Sequence, residues 1–473
     1  MGIINNIMRW FGMVFSNKAV EEFDVRAIAS TQMDQFVDRC VRIYKGRPDW
    51  IDDENGVKTI KFAKTLCSET ARLATMAINI TVDGSSRADW LQEQLDRVYF
   101  SLRHWVEFGT AFGTIILKPN GKDIDVLTPD KFMITDQSNG EITGCVFVDN
   151  ETSHDGKKFY TRLEYHRFIQ NDAGERIYMI TNKTYISDVK KDIGKPIAIE
   201  DTPWNGLQEE VGVLGIDKPL FGVFRTPAAN DIDIDSPMGL PIFSEALEEL
   251  KDLDIAYSRN SGEIFDSDRI VLLDSDRLMA SGGRVASGAN GFEHAREQMK
   301  LPKYVRNVMG DGASTFYQEI NPALNTEERL KGIDALLSLI GFKCGFSNGY
   351  FVFDQKTGMV TATQVEADDR RTIQYIKDVR DKIEACIDGL LYALDKFADL
   401  YNLAPYGEYE TTYDFGDITY NREEDRVRWW SYVIQGKVPA WKFFVKFEGM
   451  SEDDAKEMVG EAEGQAPKFF EEE

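Results

Sequence analysis

The spacing of apolar residues predicts helices near the start of the chain and short strands after them. Residues 22–80 have helical spacing, most clearly in AKTLCSETARLATMAI at 63–78. Between about 107 and 225, short alternating apolar runs are separated by turns at 119–121 and 139–140. Alternation on both sides of Asn-Gly is a strong signal for a β-hairpin. The first half of the chain is therefore predicted to combine helices with antiparallel strands.

Three further helices are predicted after residue 240. The first covers about 241–266, and the second covers about 325–345, with Asn325 as its expected N-cap. The longest covers 363–401, where apolar residues recur at spacings of three and four. At 1.5 Å per residue its length would be about 58 Å. Gly389 marks a candidate kink, because glycine weakens a helix interior.

An irregular insert, residues 267–322, separates the first two of these helices. IVLLD at 270–274 reads as a strand, and SGGRVASGANG at 281–291 is rich in glycine. Basic residues are concentrated here, whereas the chain as a whole is acidic. They are Arg284, Arg296, Lys300, Lys303 and Arg306. This basic island indicates either a docking surface or a solvated loop surface.

The two ends of the chain also have helical patterns. Six apolar residues near the N-terminus fit one helical face: Ile3, Ile4, Ile7, Met8, Phe11 and Phe15. This face favours docking on the protein's own body or on a neighbour, rather than a signal peptide or a membrane anchor. Near the C-terminus, a strand is predicted at 409–418 and helices at 423–438 and 451–464.

Composition limits the classes of function. The chain of 473 residues is 42% hydrophobic, with 80 acidic and 55 basic residues and a net charge of −25. Such acidity argues against a protein that grips nucleic acid by a general basic surface, but not against one that surrounds DNA without holding it. Five scattered cysteines without a C-x-x-C pair argue against a zinc or redox site and suit a reducing cytoplasm.

One candidate catalytic motif is GFSNG at 345–349, which fits the G-x-S-x-G pattern of a hydrolase nucleophile elbow. The elbow places its serine between a strand and a helix, with a histidine later in the chain. Here the preceding residues look helical, and all four histidines precede Ser347. We therefore expect a helix that ends at Gly345 with a loop behind it, and no catalytic role for Ser347.

Metal and nucleotide sites are not predicted either. Asp231, Asp233 and Asp235 have the spacing of a calcium loop, but Ser236 and Ile242 stand where that loop needs glycine and glutamate. Turn chemistry is the better interpretation of this segment. The chain has no P-loop or H-E-x-x-H motif, and no carboxylate pair stands out as a glycosidase site.

Four short segments in a fixed order carry a resemblance to a known family. They are RIYKGRPDW at 42–50, DIDIDSPMGLPIF at 231–243, LKDLDIAYS at 250–258 and FDQKTGMVTATQV at 353–365. Together with the order of elements, they resemble the portal proteins of tailed bacteriophages, specifically those of phages of Gram-positive bacteria. The last segment resembles the family run F-D-x-x-T-G-x-x-T-A-T-E-V, with Gln364 where glutamate is common. The resemblance covers roughly residues 40–400. The C-terminal seventy or so residues match only in their general pattern of predicted elements, not in any motif.

The resemblance implies an α+β portal-protein fold with a wing, a stem, a clip, a tunnel loop and a crown. The implied division is 1–240 for the N-terminal helices and α/β wing, 241–266 for the first stem helix, 267–322 for the clip, 323–345 for the second stem helix, 346–362 for the tunnel loop, 363–420 for the long kinked wing helix and a wing strand, and 421–473 for the helical crown.

The resemblance also implies a function without catalysis. Portals are ring-shaped homo-oligomers, dodecamers in the virion, at the one capsid vertex where double-stranded DNA is packaged and later ejected. Their partners are the large terminase subunit, which carries the packaging ATPase, a head–tail adaptor, and the major capsid and scaffolding proteins. Assembly would take place in the host cytoplasm, without a membrane partner, cofactor or metal. Another ring-shaped head–tail adaptor, or a cytoplasmic hydrolase, is the alternative.

Three groups of residues follow from this expectation. The DNA-facing residues of the tunnel loop would be Asp354, Gln355, Lys356, Thr357, Met359 and Val360. The basic island would dock the terminase on the clip. Apolar residues beyond what a thin two-helix stem can bury would meet the neighbouring subunit: Leu247, Leu250, Ile333, Leu337 and Ile383.

Overall fold

The computed structural model describes most of the chain. The described residues are 15–51, 56–121, 123–154, 156–171, 174–190, 192–266, 270–274, 305–308, 317–320, 326–352, 362–416, 422–435, 437–448, 450–451 and 454–459. They form a mixed helix and sheet structure, which confirms the predicted α+β class. The chain divides into two compact units, one of residues 1–75 and 81–412 and the other of residues 76–80 and 413–473.

Among the described residues, five helices precede the two larger sheets. They are α1 (residues 15–23), α2 (Thr31–Tyr44), α3 (Phe62–Ala74), α4 (Ser86–Tyr99) and α5 (Leu102–Phe112). The prediction that residues 22–80 are helical throughout is wrong for the connection between α2 and α3. Gly46 takes a positive φ of 73° just after α2, and Pro48 follows. The strand β1 (Asn79–Asp83) replaces helix at the end of that range and pairs with β14 (Glu410–Asp414).

Two sheets form the body of the first unit. The smaller contains β2 (Thr114–Asn120), β3 (Asp123–Leu127) and β10 (Gly222–Arg225), in the order β10-β2-β3. The larger contains β4 (Phe132–Ser138), β5 (Glu141–Thr152), β6 (Phe159–Gln170), β7 (Arg176–Ser187), β8 (Lys195–Pro196) and β9 (Glu210–Leu214). Both predicted hairpins are confirmed, β2 with β3 and β4 with β5. In the second turn Asn139 and Gly140 have φ values of 52° and 77°, which explains the Asn-Gly pair.

Helices cover the sheets and complete the core. Met33 and Val37 of α2 are buried against residues of both sheets, including Ile116 and Phe147. Phe15 of α1 is buried in a second cluster on the larger sheet. That contact agrees with docking of the N-terminal apolar face on the protein's own body, but residues 1–14 lie outside the described residues.

A pair of helices and a small sheet follow. The helices are α6 (Leu247–Asp266) and α7 (Thr326–Lys343), and the strands between them are β11 (Ile270–Asp274), β12 (Val305–Val308) and β13 (Tyr317–Ile320). The predicted strand at 270–274 is confirmed. It lies at the centre of this sheet, parallel to β12 and antiparallel to β13.

The first of these helices starts later than predicted. Its α-helical part begins at Leu247, after a 3₁₀ turn at Ser244–Ala246, and not near residue 241. The Ile242 N–H donates to the Thr110 carbonyl at 3.0 Å, which holds the preceding residues against α5. The predicted N-cap of α7, Asn325, lies outside the described residues.

The longest helix, α8 (Ala362–Tyr401), has 40 residues and begins one residue before the predicted start. It packs on β10 and β2 of the smaller sheet. A Cβ added at Gly389 would lie 3.1 Å from the Gly222 Cα, and one added at Gly222 would lie 2.1 Å from the Cys386 carbonyl oxygen. Both glycines therefore permit a close approach of helix and strand, and a kink at Gly389 stays a prediction.

The second unit contains the C-terminal helices. Its described helices are α9 (Arg422–Ile434), α10 (Ala440–Glu448) and α11 (residues 454–459). Ring contacts join α9 to α10, with centroids 4.9 Å apart for Trp430 and Phe443 and 6.1 Å apart for Trp429 and Phe447. The helix α10 was not predicted from the sequence, whereas the other two were.

Candidate functional site

The candidate site is the junction where α7 ends and the predicted tunnel loop begins. The Phe346 N–H donates to the Gly341 carbonyl at 2.9 Å, and the Gly345 N–H donates to the Phe342 carbonyl at 3.3 Å. With a φ of 91° at Gly345, these bonds form a Schellman motif. The predicted helix end at Gly345 is thus confirmed. A Cβ at this position would lie 2.6 Å from the ring of Tyr375 on α8, so the turn is packed tightly against that helix.

Ser347 joins the junction to α8. Its N–H donates to the Thr372 Oγ1 at 2.8 Å, and its Oγ accepts from the Thr372 Oγ1 at 3.0 Å and from the Thr372 N–H at 3.3 Å. The side chain is buried, with 4% of the residue exposed. No histidine bonds to Ser347 within the described residues. Its hydroxyl has a structural role here, and the elbow geometry of a hydrolase is not formed.

An aromatic cluster fills the inside of the junction. The ring of Phe346 is fully buried and lies 4.9 Å from Phe351, 5.1 Å from Tyr350 and 6.2 Å from Tyr375, measured between centroids. Phe351 also makes an edge-to-face contact with Phe62 of α3 at 5.3 Å. Such pairs stabilise a fold beyond the area they bury. The cluster therefore packs the junction against α3 as well as α8.

A charged hydrogen-bond network adds a second link to α3. The Tyr350 hydroxyl donates to the Glu69 Oε1 at 2.6 Å, and Arg72 donates to both oxygens of the same carboxylate. Hydrogen bonding from Arg72 lowers the pKa of Glu69 despite its partial burial. Burial and the bond to Glu69 raise the pKa of Tyr350. The tyrosine is therefore a donor, and the glutamate an ionised acceptor, at neutral pH.

A third link runs to α7. The Ser338 hydroxyl donates to the Asn348 Oδ1 at 2.5 Å and accepts from the Gly349 N–H at 3.0 Å. Residues 346–352 are thus bonded to three helices. The remainder of the predicted tunnel loop lies outside the described residues, and with it all six predicted DNA-facing side chains: Asp354, Gln355, Lys356, Thr357, Met359 and Val360.

Two of the four segments behind the family resemblance contact each other. The indole N–H of Trp50 donates to the Asp254 Oδ2 at 2.9 Å, and the Ile60 N–H donates to its Oδ1 at 3.0 Å. Burial raises the pKa of Asp254, against the opposing effect of these bonds. Asp254 therefore fixes the long connection between α2 and α3 on the side of α6.

The Asp-rich segment at 231–235 has the turn chemistry that was predicted. The Asn230 Oδ1 accepts from the N–H groups of Ile232 and Asp233, and the Asp233 Oδ2 accepts from the Ser30 N–H at 2.8 Å. Ser30 in turn caps α2 through the Met33 N–H. Among the described residues, no group of three or more acidic, histidine or cysteine side chains is arranged to hold a metal ion.

The predicted subunit-interface residues are buried within a single chain. At most 7% of any of them is exposed: Leu247, Leu250, Ile333, Leu337 and Ile383. These residues were expected to form apolar surface that a single chain leaves uncovered, and that expectation is wrong. Apolar surface is left uncovered on the other face of α7, where Leu339 and Phe342 are 44% and 45% exposed. The guanidinium of Arg371 covers only part of Phe342, with its carbon 3.9 Å from the ring centroid.

The basic island is described only at one position. Arg306 lies on β12, and the remaining four residues fall outside the described part: Arg284, Arg296, Lys300 and Lys303. Docking of a partner on this insert stays a prediction.

A buried ionic network between the two sheets was missed at the level of sequence. Lys118 of β2 bonds to Glu164 of β6, and Arg162 pairs with Glu164 at 3.0 Å and with Asp149. His166 contacts the same glutamate at 2.8 Å. Burial would raise the pKa of Glu164, but the two cations hold it well below its usual range. With its charges paired with one another, the network is structural.

A surface cavity of about 340 Å³ lies beside α2. Its charged lining is already paired, Arg39 with Asp49 at 3.2 Å and Arg42 with Asp38 at 3.4 Å. These pairs leave little excess charge with which to recognise an ionic ligand.

Comparison with models of known protein families and with curated protein sequences gave no match to this chain. Within the described residues, every helix is too short or too polar to cross a lipid bilayer.

Proposed function

We propose that this protein is a phage portal protein, the subunit of a ring-shaped channel at one capsid vertex through which double-stranded DNA is packaged and ejected. The observation that carries the proposal is the arrangement of α6, α7 and the strands between them. The Lys343 Nζ at the end of α7 lies 3.0 Å from the Glu245 carbonyl and 2.5 Å from the Glu249 Oε1 at the start of α6. The helices are therefore antiparallel, and the insert extends from their far end. This is the order expected of a stem that carries a clip.

The elements that follow support the same proposal. A short connection leads from α7 into the 40-residue α8, which lies on the sheets of a wing-like body, and a small helical unit follows as a crown would. A net charge of −25 suits a channel that DNA must pass without adhering, because a basic wall would bind phosphates by release of their counterions. The buried, hydrogen-bonded state of Ser347 favours this function over a hydrolase.

The shape and mass of the purified protein test the proposal. A dodecamer of this 53.8 kDa chain has a mass of about 650 kDa. Negative-stain images should show rings with a central channel, and light scattering should give a mass in that range. A monodisperse monomer would overturn the proposal. Neighbouring genes for a terminase and a capsid protein would separate a portal from another ring-shaped adaptor.

Ring assembly should depend on the exposed face of α7. We expect Leu339→Asp to prevent closed rings, because it places a carboxylate on apolar surface that a neighbouring subunit would cover. Sedimentation should show mainly smaller species. The matched control is Leu214→Asp, which makes the same change at an exposed leucine of β9 and should assemble normally. Full-size rings from the Leu339 variant would place the interface elsewhere.

Terminase docking should depend on the basic island. Changing Arg296, Lys300 and Lys303 together to glutamate is expected to weaken terminase binding by at least about tenfold at low salt. The reason is that charge pairing at an interface sets the rate of encounter and the register of the two partners. The rings should stay intact in negative-stain images.

The control for this charge reversal changes three exposed lysines of the body to glutamate: Lys158, Lys190 and Lys195. Binding should then be close to that of the unchanged protein. Equal loss in both variants would indicate a general charge effect, and unchanged binding in the first would remove the clip from the docking surface.

A further inference from the structure

The chain contacts α3 immediately before it enters the predicted DNA-facing part of the tunnel loop. We propose that Tyr350 and Glu69 are positioning residues, which form a latch that fixes where that loop leaves the body. The inference rests on the proposed function, since it assigns these residues a role in presenting the loop to DNA. The new part of the inference is that the loop is attached to α3, a helix that is distant from it in sequence.

The acceptor in this latch, the Glu69 carboxylate, is held in one orientation by Arg72, independently of Tyr350. The Arg72 Nε donates to the Glu69 Oε2 at 2.8 Å and its Nη2 to the Oε1 at 2.5 Å, one turn along the same helix. A bidentate guanidinium holds a carboxylate in one orientation. The Tyr350 hydroxyl, at 2.6 Å from the Oε1, therefore binds an acceptor whose direction is already fixed.

The latch lies at the end of the described junction. Ser347 and its bonds to α8 come three residues earlier, and Asn348 and Gly349 are bonded to α7. Within the described residues of the junction, Tyr350 is thus the last one whose side chain makes a hydrogen bond to the body. After it, Phe351 touches Phe62 of α3, and Val352 is partly exposed.

Fixing this point limits the conformations open to the residues beyond it. The other end of the loop begins α8 at Ala362, so residues 353–361 connect the latch to that helix. Fixing one end of a short segment reduces the number of conformations that the rest of it can adopt. A ring of such loops presents the same residues at the same radius from every subunit, which a collar around DNA requires.

The latch is expected to hold across the pH range in which a phage assembles. Hydrogen bonding from Arg72 lowers the pKa of Glu69, so its carboxylate is ionised from weakly acidic pH upwards. The pKa of Tyr350 is raised, so its hydroxyl keeps its proton. Neither group changes its protonation near neutral pH, and the latch is a fixed anchor and not a pH switch.

The test removes one oxygen atom. In the purified protein, Tyr350→Phe is expected to raise hydrogen exchange of the backbone amides of residues 345–352 by about tenfold, because a bond to a charged acceptor is lost while the aromatic side chain stays packed. Glu69→Ala should give the same result from the other side. The matched control is Tyr406→Phe, which makes the same change at a tyrosine that is 84% exposed, and it should leave this exchange unchanged.

Packaging then tests the positioning role. Both latch variants should form normal rings in negative-stain images and package about tenfold less DNA than the control. Unchanged exchange in Tyr350→Phe would overturn the latch, and raised exchange with normal packaging would overturn its role in positioning the loop. If the unaltered protein forms no rings, the proposed function fails, while the exchange measurement still decides whether the latch exists.

Discussion

Replacing Lys118 with alanine is expected to lower the free energy of unfolding of the first unit by about 3–5 kcal/mol. Only 1% of Lys118 is exposed, and its Nζ contacts Glu164 and lies 3.6 Å from the Asp149 Oδ2. The substitution leaves two buried carboxylates with Arg162 as their remaining cation in the described network. The lysine is on the smaller sheet and its partners are on the larger one. Loss of the lysine should therefore weaken the contact between the two sheets.

Chemical denaturation checks this prediction, with hydrogen exchange in β5, β6 and β7 to assign the transition to the first unit. A double variant, Lys118→Met with Glu164→Gln, is the control. It removes one charge of each sign and keeps similar volumes, so it should be less destabilising than Lys118→Ala. A cost below about 1 kcal/mol for Lys118→Ala would show that the network does not hold the sheets together.

Local signals in the sequence were enough for the hairpins and for the long helix. The Asn-Gly turn between β4 and β5 is set by two backbone angles that few residues adopt, so the pair predicts it directly. The bounds of α8 were predicted to within one residue, and the apolar residues from Ile376 to Phe397 keep one helical period through its second half. Both features depend on neighbours in sequence, and the rest of the fold does not alter them.

Tertiary contacts contributed to the elements that were wrong. Gly46 and Pro48 interrupt the helix after α2, and Asp254, about two hundred residues away, fixes the non-helical connection by accepting bonds from Trp50 and the Ile60 N–H. The start of α6 is delayed by a bond to the Thr110 carbonyl. Neither partner can be identified from local periodicity, since periodicity contains no information on long-range pairing.

Buried charges show the same limit. Arg87 at the start of α4 is 1% exposed and bonds to Asp395, to Asp399 at 2.6 Å and to the Ala404 and Pro405 carbonyls. A sequence pattern places an arginine on the surface by default. Only the fold, which brings the end of α8 to α4, reveals that this arginine fixes the two helices to each other.

The candidate site was predicted in part. The context of Ser347 in the sequence was sufficient to argue against a nucleophile elbow, because a helix before it and no histidine after it are visible without a structure. The subunit-interface residues were predicted because a thin two-helix stem was not expected to bury them, but the rest of the same chain covers them. Tyr350 and Glu69 could not be paired, since their side chains meet across 281 positions of sequence.

Exchanging both Lys356 and Met359 for aspartate is expected to give rings of normal size that package almost no DNA. The segment has few charges, Asp354 and Lys356, beside small polar and apolar residues that offer weak, exchangeable contacts to phosphates. In a ring, each substitution is repeated in every subunit, so the collar changes from nearly neutral to strongly negative. Phosphates at close range would then be repelled in the one part of the channel expected to touch them.

Packaged DNA and infectivity are the measurements for this pair. The control places the same two substitutions at exposed positions elsewhere, Lys158→Asp with Met458→Asp, so that the total charge change is equal. Ser347→Ala should also package normally, since its hydroxyl bonds only to Thr372 within the described residues and its loss costs about 1 kcal/mol of stability. Normal packaging with aspartate at both 356 and 359 would show that these residues do not line the bore. The loop would then serve as a connection between α7 and α8, and the DNA contact would have to be sought on the acidic faces of the helices themselves.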